Sequence, residues 1–80
     1  MRLVGEMIEK IRNEKDFKNK WLAERVGVSQ SSISRYISGE RNIQGKNLEK
    51  FSNEFRNLGV DINTIKEFED AWFKEKNSKI

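Results

Sequence analysis

A glycine set between two short apolar-periodic segments, Gly27 within FKNKWLAERVGVSQSSISRYISGER (17–41), constrains this chain more than any other feature. Glycine enters the left-handed backbone region without the steric cost of a Cβ, so Gly27 can end a helix abruptly. Two residues later Ser29 can accept a hydrogen bond from a free N–H of the next turn and start a second helix. Upstream, Phe17, Trp21, Leu22 and Val26 fall at helical or near-helical spacing, and Ala23 leaves a small surface where the second helix can approach closely. The pattern predicts a helix from about Asn19 to Val26, a tight turn, and a second helix opening after Ser29.

In that second helix Ile33, Tyr36 and Ile37 lie at i, i+3 and i+4, which puts them on one inward face together with Val28 of the turn. The opposite face carries Ser31, Arg35 and Ser38, with Ser34 at its edge and Gln30 at the N-terminal end. Two helices joined by a short glycine turn form the geometry that places a helix in the DNA major groove, N-terminal end first. The exposed groups suit that task. Gln can bond adenine at two atoms, Arg can do the same to guanine and Ser can serve either, with discrimination of about 1–3 kcal/mol for a bidentate contact. The same polar face would also serve as an ordinary solvated surface, so helix pattern alone leaves both readings open.

At Leu22-Ala23, Val26-Gly27-Val28-Ser29, Ile33, Tyr36 and Gly39 the chain resembles the helix-turn-helix domains of phage repressors, the Cro and lambda-repressor type. The resemblance is strong from Phe17 to about Ile43 and looser from Met1 to Leu58. It implies an all-α fold, a compact bundle of about five short helices around one core. By position it implies that Gln30, Ser31 and Arg35 meet bases and that Asn19 holds a phosphate. It also implies that Ser38, Arg41 and Asn42 form the backbone-contacting end of the recognition helix and its following loop. The sequence departs from the family pattern at three places. Lys18 replaces the usual capping Thr or Ser, which leaves Asp16 or Asn19 as the start of that helix; Ile37 replaces a frequent Glu, which would leave Arg12 without its partner; and no Pro follows Gly39.

Charge is distributed to match. Between Lys18 and Lys46 six basic residues (Lys18, Lys20, Arg25, Arg35, Arg41, Lys46) face two acidic ones (Glu24, Glu40), a net of +4 in a chain whose total is +3. Lys18, Lys20 and Lys46 are therefore phosphate-contact candidates alongside Asn19, Ser38, Arg41 and Asn42, and binding should weaken steeply with salt.

Eighty residues make one domain (1–80, with the motif at 18–39), and a 35% apolar content supports a single core of roughly 3–5 kcal/mol. The absence of Cys and His removes thiol nucleophiles, disulfides, the commonest metal ligands and the usual general base. Glu67, Glu69 and Asp70 read as a wet helix face. No enzyme, metal or cofactor is indicated. Leu3-Val4 falls far short of a signal-peptide apolar region and no stretch approaches a membrane span, so the expected setting is cytoplasmic, alongside the nucleoid of a bacterium or encoded by a phage.

Outside the motif, Leu3, Val4, Met7, Ile8 and Ile11 line one face of a first helix ending near Lys15. Leu48, Phe51, Phe55 and Leu58 give a fourth helix its apolar stripe, with Lys46 and Asn47 near its start and Gly59 at its end. A last helix (61–76), opened by Asp61 or Asn63, carries Ile62, Ile65, Phe68, Trp72 and Phe73 over an arc of roughly 140°, wider than the ~100° stripe of a typical surface helix. Phe68, Trp72 and Phe73 could meet a second subunit or close the monomer core. Lambda-repressor-like domains pair through their fifth helix, and that resemblance favours a homodimer reading a roughly palindromic operator in double-stranded DNA, with half-sites ~10–10.5 bp apart or a multiple of that. The reading that follows is a transcriptional regulator, in the first place a repressor. Its alternatives are an antitoxin-like or accessory DNA-binding protein whose C-terminal aromatic face takes a protein partner, and a helical adaptor without DNA binding.

Overall fold

The computed structural model describes residues 3–77, and within them five helices follow one another through short connections. They are α1 (Leu3–Lys15), α2 (Asn19–Val26), α3 (Gln30–Ser38), α4 (Gly45–Asn57) and α5 (Ile62–Asn77). The arrangement is the all-α, five-helix one expected.

The sharpness of the breaks comes from one repeated closure. At Gly27 the backbone turns left-handed (φ 87°), and the N–H groups of Gly27 and Val28 both donate to the Ala23 carbonyl, at 2.8 and 3.0 Å. Carbonyls that the helix leaves unpaired are satisfied this way, and the next residue is thrown back onto the core. Glu40 N–H repeats the bond to Arg35 O after α3, and Val60 N–H to Phe55 O after α4. Phe17 N–H donates to Arg12 O after α1, and there the left-handed residue is Asp16 (φ 55°). Asp tolerates that region better than most residues with a Cβ. Asp16 thus ends α1, while α2 starts at Asn19 with Lys18 in the cap position, extended and without a capping hydrogen bond. Asp61 opens α5: its Oδ1 accepts the Asn63 N–H at 3.0 Å and its carbonyl accepts Ile65 N–H.

All five helices contribute to one core, built from Val4, Ile8 and Ile11 of α1, Leu22, Ala23 and Val26 of α2, Ile33 and Tyr36 of α3, Phe51 and Phe55 of α4, and Ile65, Phe68, Ala71 and Trp72 of α5. Met7, Val28, Ile37, Leu48 and Leu58 pack at its margin. Leu3, assigned to the same face of α1, begins that helix, and its side chain lies outside the described residues. Phe55 and Phe68 meet edge to face at 5.2 Å, and Phe51 joins them and Tyr36. α1 packs on α3 and α5, α2 on α3 and α4, and α4 on α5.

Three of the periodic apolar residues, Trp21, Ile62 and Phe73, do not reach this core. Trp21 stays 37% exposed, stacked beside Phe17 and under the Arg25 guanidinium, and Ile62 stays 49% exposed at the start of α5. Conversely, Gly5 is buried inside α1, where a Cβ would run into the carbonyls of Tyr36 and Ile37. A glycine that costs helix stability, by about 1 kcal/mol against Ala, is what lets α1 lie directly against the end of α3.

Candidate nucleic-acid interface

α3 is held by its start, its inner face and its end. At the start, Ser29 sits extended in the cap position and its Oγ accepts the Ser32 N–H at 3.1 Å. The Ser29 hydroxyl also shares hydrogen bonds with the Ser31 and Ser32 hydroxyls, at 3.1 and 2.9 Å. Ile33 and Tyr36 are fully or nearly fully buried. At the end, Gly39 turns left-handed and its N–H donates to Tyr36 O.

What this leaves outside is the set of groups proposed from sequence. Gln30, Ser31, Ser34, Arg35 and Ser38 are all exposed. At ~100° per residue they span an arc of roughly 140° facing away from Ser32, Ile33 and Tyr36. Ser34 stands within this face rather than at its edge, because Gln30, Ser34 and Ser38 form one i, i+4, i+8 row. Among the described residues the side chains of Gln30, Ser34 and Arg35 make no hydrogen bond, so their polar groups are available to a ligand. Ser31 is partly engaged through Ser29.

The phosphate candidates divide. Lys18, Lys20, Arg41, Asn42 and Lys46 are exposed, at the start of α2, in the loop 39–44 and in the first turn of α4. Arg41 is also drawn back to α3, where its Nη1 donates to Ser32 Oγ at 3.3 Å. Asn19 is half-buried with its Oδ1 turned inward and unpartnered among the described residues; a phosphate, which only accepts, would have to be met by the amide NH2. Ser38 fits the assignment poorly. A hydroxyl has one proton to give, and Ser38 Oγ donates it to the Arg35 carbonyl at 3.1 Å while accepting from Glu40 N–H. Its side chain closes the helix. Arg25, counted in the basic excess, is engaged by Glu54 at 2.9 Å, and Arg12 Nε is buried without a hydrogen-bond partner among the described residues.

The aromatic face of α5 does not act as a unit. Phe68 is completely buried and Trp72 is 8% exposed, both within the monomer core, whereas Phe73 is 52% exposed. The neighbouring helices α1 and α4 cover the arc from Phe68 to Ile65 and leave its edge at Ile62 and Phe73 about half exposed. Trp72 has a further attachment: its Nε1–H donates to the Ile43 carbonyl at 2.6 Å.

Sequence reasoning passed over Ser32, Gly5 and this Trp72–Ile43 bond. Ser32 could have been suspected from its place three residues after the capping Ser29, where a second hydroxyl meets the cap. Gly5 carried the signal of a glycine in a helical pattern. The Trp72 bond spans 29 residues and left no local trace.

A family model described as a helix-turn-helix matches residues 8–65, from α1 to the first turn of α5. No curated protein and no solved structure matches the chain.

Proposed function

The chain belongs to the helix-turn-helix family, of the Cro and lambda-repressor type, and from that premise we infer that it is a sequence-specific DNA-binding regulator, a repressor that occupies operator DNA. The observation that carries this reading is the outer face of α3, where Gln30, Ser34 and Arg35 project without side-chain hydrogen bonds among the described residues from a helix fixed at both ends. A rigid helix with unengaged amide, hydroxyl and guanidinium groups is what base-edge recognition in the major groove requires. Lys18, Lys20, Arg41 and Lys46 then supply the salt-dependent phosphate contacts, with Asn19 and Asn42 as neutral ones.

The homodimer reading now rests on a different set of α5 residues. Ile62 and Phe73, both about half exposed, lie eleven positions apart and so within ~20° of each other around the helix; between them on the same stripe stand Lys66 and Glu69, the latter half-buried and accepting the Ser52 hydroxyl at 2.7 Å. In an antiparallel pairing of two α5 helices, the register that sets Ile62 against Phe73 of a second copy also sets Lys66 against Glu69. A stripe that complements itself is the requirement of a twofold interface. Two such subunits would present two recognition helices to a roughly palindromic site.

Selection of bound duplexes from a random oligonucleotide pool tests the whole reading. Enrichment of a symmetric site with half-sites ~10–10.5 bp apart, or a multiple, is the expected result. A pool that stays random, with no duplex binding even at low salt, would leave only a helical adaptor.

A further inference from the structure

We propose that Trp72 is a positioning residue for DNA contact: by holding the Ile43 carbonyl, its indole N–H fixes the loop 39–44 so that Arg41 and Asn42 meet the phosphate backbone. This rests on the DNA-binding reading above and adds to it a residue outside the match to the helix-turn-helix family.

The loop that joins α3 to α4 has two halves. The first is tied to α3: Glu40 and Arg41 N–H groups both donate to Arg35 O, and the Arg41 side chain reaches Ser32. The second half is tied to α5. The Ile43 side chain is buried, and its carbonyl takes the Trp72 bond. Gly45, at the start of α4, leaves the indole ring in ordinary contact range of any Cβ built there, so the ring lies flush against this turn.

Nothing in the loop's own sequence stiffens it, because the chain holds no proline to restrict the backbone. Packing seats the Ile43 side chain in the core, but its backbone borders an open cleft of about 290 Å³ between residues 42–45 and the Trp72 and Lys76 side chains. The indole donor adds a directional restraint on the Ile43 carbonyl at this edge, beside the packing of the Ile43 side chain. A short, buried hydrogen bond has a strong geometric preference, and leaving the Ile43 carbonyl unpaired would cost its desolvation. Lys76 Nζ lies 4.9 Å from the indole centroid, and Phe73 meets the ring edge to face at 5.1 Å, so the ring itself is held on two sides.

The test removes the donor and keeps the ring. Trp72→benzothienylalanine, introduced by chemical synthesis of the 80-residue chain, replaces the N–H by sulfur at nearly unchanged shape. Trp72→Phe is the recombinant companion. Two quantities are read against the natural chain: the slope of log K against log salt for duplex DNA, and amide exchange at Asn47 and Leu48, whose N–H groups donate to Gln44 O at the loop's end.

With the donor gone and the helix content unchanged, exchange at 47 and 48 accelerates and the salt slope falls by about 0.9, the loss of one phosphate contact. Arg41→Ala then lowers the slope in the natural chain but not in the donor-free one. An unchanged slope and unchanged exchange overturn the proposal, as does a full additional effect of Arg41→Ala in the donor-free chain. Should the natural chain bind no duplex at all, the DNA-binding reading fails with the proposal's functional half, and the exchange arm alone decides whether Trp72 holds the loop.

Discussion

α3 and α5 are both amphipathic helices with an outer face to which the sequence assigns a partner, and the fold treats the two faces differently. Every residue assigned to the outer face of α3 is outside. Of the three aromatics assigned to a second subunit on α5, two are inside and one is out. The difference follows from what burial costs each side chain. An unpaired guanidinium or amide is expensive to desolvate wherever the neighbours stand, so its place is decided locally. An aromatic ring is favoured inside whenever a neighbour can cover it, and on α5 that depends on where α1 and α4 come to lie.

The comparison can be broken most directly at Phe68. Phe68→Ala should cost about 3–5 kcal/mol, comparable to the whole stability of a domain this size, and leave the chain largely unfolded in a urea titration followed by circular dichroism. A variant that stays folded and merely associates less would return Phe68 to the subunit interface. Next comes the seat of α3. Gly5→Ala should destabilise by about 1–3 kcal/mol through overpacking against the Tyr36 and Ile37 carbonyls, despite the better helix propensity of alanine, and a raised melting temperature would show that α1 and α3 do not touch there.

Arg35→Ala probes the outer face of α3 itself. Stability should hold within about 0.5 kcal/mol, while binding to a selected site weakens by about 1–3 kcal/mol with relaxed preference at one base pair. An equal loss on every sequence would make Arg35 a phosphate contact instead. Phe73→Ser should likewise change stability by no more than about 0.5 kcal/mol, with a shift towards monomer in sedimentation equilibrium. Undiminished dimer would move the pairing surface away from Ile62 and Phe73.

Much of this molecule was legible before its coordinates. The left-handed turn at Gly27, the cap at Ser29 and the polar face of α3 are decided within a dozen residues, so local chemistry announces them. The Ser38 hydroxyl can serve a phosphate or its own helix end, and only the geometry shows it turned to the Arg35 carbonyl. Asp16 suits either a helix start or a helix end as a short polar residue, and the structure uses it to close α1. Trp21 and Ile62 kept helical spacing without finding cover, and the Trp72–Ile43 bond joins segments whose meeting depends on the whole bundle.

α3 has nine residues, too few to persist as an isolated peptide in water. It exists as a helix because Ile33 and Tyr36 are gripped from behind, so the reading head and the core melt together. Mass action then runs in reverse: each molecule docked on its target is withdrawn from the unfolding equilibrium. DNA bound as proposed above would therefore act as a chaperone for this chain, protecting bound copies against heat and proteolysis.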